Sequence, residues 1–185
     1  MTLTKKLLVL FLCTATSSLL PAQTSVQPNE IGVRFGGLQD FDLIYKKAKK
    51  DDRYQRIRAG FGNLNFQNSE GSQQISFAAA IAFGVEKRRE IGRQLLFLHG
   101  WEPFLGLDFQ SIFSQKNRSS LTLNPGLGYV LGLQVNFSER VSAGIETLPS
   151  LSTRFNFSRD GFSDNYSIGA GFSMNDIALT TIYRL

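Results

Sequence analysis

After residue 29 the chain alternates between apolar and small or polar residues, and this period of two constrains its fold more than any other feature. Successive side chains of a strand point to opposite faces, so a sustained alternation builds a sheet with one apolar face. In 75–85 the odd positions are Ile75, Phe77, Ala79, Ile81, Phe83 and Val85, against Ser76, Ala78, Ala80, Ala82 and Gly84. In 121–137 the odd set runs Leu121, Leu123, Pro125, Leu127, Tyr129, Leu131, Leu133, Val135 and Phe137. Opposite it stand Thr122, Asn124, Gly126, Gly128, Gly132, Gln134 and Asn136. The same phase organises 97–109, 141–157 and the closing Ile177, Leu179, Thr181, Tyr183 and Leu185. No stretch sustains a helical period. The chain is read as all-β.

The second face decides what kind of sheet this is. A soluble sandwich or lipocalin-like barrel turns its apolar set inward and a long-chain polar set outward. Here the polar set is crowded with Gly, Ala and Ser, which suit the narrow interior of a small barrel. The apolar set is large and aromatic, as a lipid-facing band requires. An eight-stranded antiparallel up-and-down transmembrane β-barrel is therefore expected. A soluble secreted barrel with an apolar ligand cavity is the alternative. The mean hydropathy of −0.09 does not argue against a membrane, because it averages two faces of opposite character. A hydrophobic share of 42% excludes a disordered chain, and a net charge of +5 is too small to argue for nucleic acid.

The first residues read as an export signal. Lys5 and Lys6 precede the apolar run 7–13, which is followed by a Thr/Ser-rich stretch and Pro21-Ala22-Gln23. That run is too short to span a bilayer, and a basic start with a small residue before the cut marks a secretory signal peptide. Residues 1–22 are expected to be removed, leaving 23–185 as one barrel domain. Leu12 before Cys13 argues against lipid attachment, and removal of the segment also removes the only Cys. The exported chain then cannot rely on disulfides.

Turn signals separate eight strands, roughly 29–36, 40–48, 53–67, 73–87, 94–113, 120–137, 140–158 and 164–185. Two joints are ambiguous. Residues 31–45 keep one phase across Gly36-Gly37, and the apolar phase moves from even to odd at Asn175-Asp176. Splitting the chain at the second joint instead of the first also gives eight strands. The first scheme is preferred because it places the tight Ser138-Glu139 turn on the side where barrels keep short turns.

With the export signal, the eight strands and the terminal Ile182-Tyr183-Arg184-Leu185, the chain resembles the small outer-membrane β-barrel proteins of Gram-negative bacteria. Gly84-Val85-Glu86-Lys87-Arg88 and 138–146 resemble strand–turn joints of the Bacteroidetes-type branch. The resemblance implies residence in the outer membrane, contact with its lipid, and recognition of the last strand by the barrel assembly machinery. The family usually ends in Phe, where this chain has Leu185.

Charges on the polar face are the candidate site. They are Arg34, Lys46, Arg56, Arg58, Arg154 and Arg184 against Asp42, Glu86, Glu102, Asp108 and Glu146. Inside a narrow barrel such groups must pair, and a salt-bridged plug that fixes register and blocks conduction is expected. Trp101, Tyr129 and Tyr183 are candidates for an interfacial aromatic girdle. Lys47, Lys49, Lys50, Lys87, Arg88 and Arg89 fall near turns and are candidates for binding anionic headgroups. His99 lies on the apolar face beside Trp101, so the triad of a lipid-modifying enzyme is not expected. No catalytic residue, metal site or cofactor is assigned. A non-enzymatic monomer serving envelope structure or surface interaction is the leading expectation.

Overall fold

The computed structural model describes residues 28–36, 41–50, 52–69, 72–113, 118–160, 163–173 and 177–185. The segment 1–22 expected to be an export signal lies outside the described residues. Ten strand segments follow one another: β1 (Glu30–Phe35), β2 (Phe41–Ala48), β3 (Arg53–Ser69), β4 (Ser72–Glu90), β5 (Leu95–Phe113), β6 (Arg118–Asn136), β7 (Val141–Thr147), β8 (Ser150–Asp160), β9 (Ser163–Ser173) and β10 (Ile177–Arg184). All pairings are antiparallel, and the pairs β5–β6 and β1–β10 close the sheet on itself. Where all the staves pair, closure removes the free edges that an apolar sheet would otherwise expose.

Ten segments make eight staves. β7 and β8 lie end to end along β6, interrupted only at Leu148-Pro149. The Tyr129 amide of β6 donates to the Pro149 carbonyl across this break, at 2.9 Å, so the interruption leaves no orphan donor there. In the same way β9 pairs with β8 and β10 with β7, which makes them one stave. The joint at Asn175-Asp176 lies outside the described residues, but the strands on either side of it, ending at Ser173 and beginning at Ile177, belong to one stave. The preferred strand scheme holds, with a true β1–β2 hairpin running from Glu30↔Lys46 to Phe35↔Phe41. A second slip lies in β3, where the register shifts between Gly62 and Asn65. There the outward phase moves from odd (Phe61) to even (Leu64 and Phe66), which is what one extra residue in a strand does.

The start of β1 and the end of β10 lie together at one end of the barrel, the terminal end, joined by the Leu185 amide donating to the Asn29 carbonyl at 2.9 Å. The short connections 48–53, 90–95 and 136–141 share this terminal end. The wall is uneven at the far end: β4, β5 and β6 have 19 residues each, whereas β1 has 6 and β2 has 8. Outward positions carry exposed apolar side chains on every stave, including Ile31, Leu43, Phe83, Trp101, Leu133, Ile145 and Leu179. Charged groups are among the most completely hidden, with Glu30, Lys46, Arg56 and Glu86 at 0% exposure. This is a soluble protein's distribution turned inside out, and it fits a chain whose solvent is hydrocarbon.

Candidate functional site

The even positions of the terminal half point inward, and their charges meet there. Arg56 of β3 is the hub. Its Nε lies 2.7 Å from Glu102 Oε2 of β5, its Nη2 2.7 Å from Glu146 Oε2 of β7, and its Nη1 3.2 Å from Glu86 Oε2 of β4. Lys46 of β2 stands beside Arg56 in the register and brings Nζ to 2.6 Å from Glu86. Four strands are thus tied through one guanidinium.

The network extends along the barrel in both directions. Toward the far end Arg58 links Glu102 at 2.6 Å to Asp42 at 2.9 Å, and Arg34 adds a second cation on Asp42 at 3.0 Å. Toward the terminal end Arg88 bridges Glu86 at 2.8 Å and Glu30 at 2.6 Å, with its guanidinium 3.7 Å above the Tyr54 ring. Arg184 of the last strand reaches Glu30 at 3.3 Å and donates to Asn136 at 2.7 Å. Six cations face five carboxylates in a single connected set. A guanidinium has five donors in a fixed planar fork, so one Arg can hold carboxylates from several strands at once with defined geometry, where a lysine offers only a compact point charge.

Glycine makes room for these side chains. At Gly84, next to Glu86, an added Cβ would come to 2.5 Å from the Trp101 carbonyl oxygen and 3.1 Å from Glu102 Cα. The backbones of β4 and β5 approach too closely there for any side chain. Apolar residues on the inward phase complete the filling: Ile44, Leu98, Val130 and Ile182 are each no more than 1% exposed. They surround the ions and exclude water, which strengthens the pairs and raises the cost of breaking one.

Of the residues expected to share the lumen network, Arg34, Asp42, Lys46, Arg56, Arg58, Glu86, Glu102, Glu146 and Arg184 do so. Asp108 and Arg154 do not. They face inward but lie higher on β5 and β8, in the exposed far-end half, where Asn124 connects them: it donates to Asp108 at 2.8 Å and accepts from Arg154 at 3.3 Å. Glu30 and Arg88 take their places. Arg88, expected among the headgroup cations, is 8% exposed inside the lumen. Its neighbours Lys87 and Arg89 point outward, because β4 runs on to Glu90 instead of turning at residue 88. Lys47, Lys49 and Lys50 are exposed at the same end.

Trp101 and Tyr129 face each other across β5 and β6 with ring centroids 4.6 Å apart, edge to face. Tyr183 is separate from them, opposite Val141 beside the 136–141 turn, where its hydroxyl accepts from Arg140 at 3.4 Å. His99 stacks on Phe97 at 5.7 Å, and its Nδ1 lies 3.3 Å from the Tyr129 hydroxyl. Among the described residues no group of His, Cys, Asp and Glu is arranged to hold a metal ion.

A closed eight-stave antiparallel barrel, apolar outside and ion-paired inside, is the architecture of a small membrane-spanning β-barrel. The chain is similar in fold to the crystal structure of a major outer membrane protein from Thermus thermophilus, with a TM-score of 0.56 and 10% identity over 87% of this chain and 100% of that one. No family model matches the sequence. No curated protein matches it either.

Proposed function

We propose that this chain is an integral outer-membrane β-barrel without enzymatic activity, whose sealed lumen makes it a structural or surface-interacting element of a Gram-negative envelope. The single observation that carries the reading is the inversion of burial. Arg56, Lys46, Glu86, Glu102 and Glu146 are the largest charged groups inside, while Phe, Leu and Ile cover the outer wall. In water such a wall is an aggregation hazard; in a bilayer it is the condition for insertion. The ion pairs fill the terminal half, so the barrel is proposed as a scaffold and not a pore.

Several finer elements belong to the same proposal. Residues 1–22 are a cleaved signal peptide, the final strand engages the barrel assembly machinery, and the chain acts as a monomer of the Bacteroidetes-type branch. The fold likeness to an outer membrane protein supports the location. A soluble lipocalin-like carrier would need the opposite distribution of apolar residues. Fractionation tests the reading: after carbonate and urea washes the protein stays with the membrane pellet and migrates differently before and after heating on a denaturing gel. Release into the soluble fraction refutes it. If the chain were a lipid-modifying enzyme, deletion would change the mass spectrum of lipid A; the proposal expects no change.

A further inference from the structure

Lys46, Arg56 and Arg88, which β2, β3 and β4 turn inward, are each ion-paired, whereas the outward cations at the terminal ends of the same strands have no ion pair among the described residues. Lys47 stands near the end of β2, Arg53 opens β3, and Lys87 and Arg89 stand near the end of β4, all four exposed on the outward phase. The register sets Arg53 directly opposite Lys87. Like charges facing across a strand pair repel. None of the four has an acidic partner among the described residues, whereas inside the barrel Lys46, Arg56 and Arg88 each have at least two. A fold that neutralises its interior so thoroughly leaves a concentrated positive patch on its outer wall.

The surroundings identify what would neutralise it. Lys47 shares a rung of the sheet with Gln55 and Val85, and the next rung toward the far end is Tyr45, Ile57 and Phe83. The patch therefore passes within one rung into the apolar wall. A free anion would need only the charges. An anionic amphiphile uses both parts, its phosphate on the Lys and Arg groups and its chains along Tyr45, Ile57 and Phe83. We propose that Lys47, Arg53, Lys87 and Arg89 form a binding site for the phosphate-bearing headgroup of an anionic phospholipid, in the leaflet on the side of Asn29 and Leu185. The site rests on the membrane-barrel reading and adds to it a lipid preference and a leaflet.

The test uses the folded protein in vesicles of phosphatidylcholine containing a minority of phosphatidylglycerol, followed by native mass spectrometry of the lipids it retains. The wild type is expected to retain phosphatidylglycerol enriched about fivefold over the vesicle ratio. The variant Lys47→Gln/Arg53→Gln/Lys87→Gln/Arg89→Gln returns to the vesicle ratio, and the milder Arg53→Gln/Lys87→Gln serves if the fourfold variant fails to fold. The control Arg93→Gln/Arg140→Gln, at the same end but outside the patch, keeps the enrichment. A wild type that inserts and retains lipid at the vesicle ratio overturns the site while leaving the membrane reading intact; failure to float with vesicles sinks both. Enrichment abolished by millimolar inorganic phosphate would reassign the patch to free anions and overturn the lipid assignment.

Discussion

The two halves of this barrel are built from the same staves under different rules. In the terminal half all eight staves are present, glycines bring backbones into contact, and the inward side chains include a buried set of charges in an apolar surround. In the far half only the longer strands continue. There the inward positions are mostly Gln, Ser, Thr, Asn, Ala and Gly, with Asp108 and Arg154 exposed among them, and residues 167–173 of β9 are exposed throughout. Beyond Phe61, β3 pairs only with β4, and β9 pairs only with β8, among the described residues. Charge is concentrated where the wall is complete, because only a closed wall excludes water well enough to make an ion pair both strong and costly to break.

Substitutions at matched positions can break this contrast. The largest effect is expected at the hub. Arg56→Met strands Glu86, Glu102 and Glu146 together in a dry interior and should cost about 3–5 kcal/mol, read as a lowered urea midpoint in micelles or loss of the heat-modifiable band. Next comes Gly84→Ala, where the methyl group meets the Trp101 carbonyl and forces β4 from β5, at about 1–3 kcal/mol. The same change in the far half should act in the opposite direction. Gly169 has nothing within 4 Å of an added Cβ, so Gly169→Ala should stabilise by about 0.4–1 kcal/mol through the unfolded chain. Arg154→Met, an exposed group held among the described residues by a 3.3 Å hydrogen bond to Asn124, should stay within about 0.5 kcal/mol of wild type. If Arg56→Met and Arg154→Met cost the same, the distinction between the halves is wrong.

The alternation made the fold legible, because period and phase are properties of the chain itself. It could not give height. Asp108 and Arg154 share the inward phase with Glu102 and Glu146, and only the register reveals that they sit where the wall is open. Arg88 was legible in principle. It has the parity of Glu86, but the run Lys87-Arg88-Arg89 looks like a turn when composition is weighed above phase. Glu30 stands one residue before the apolar pattern begins at Ile31, so the alternation gives it no context. Leu98, Val130 and Ile182 are apolar residues on the polar phase, and their presence in the lumen follows only from seeing that the ions need a dry jacket. The slip between Gly62 and Asn65 was not legible, because a mixed stretch of Gly, Asn and Phe supports either phase.

The central claim is that the ion-filled half seals the barrel, and single-channel recording in a planar bilayer tests it most directly. The wild type is expected to show no steady conductance under moderate voltage at neutral pH. Steady, large openings of the wild type would contradict the account, since they require a continuous water path through the space that Arg56 and its carboxylates fill.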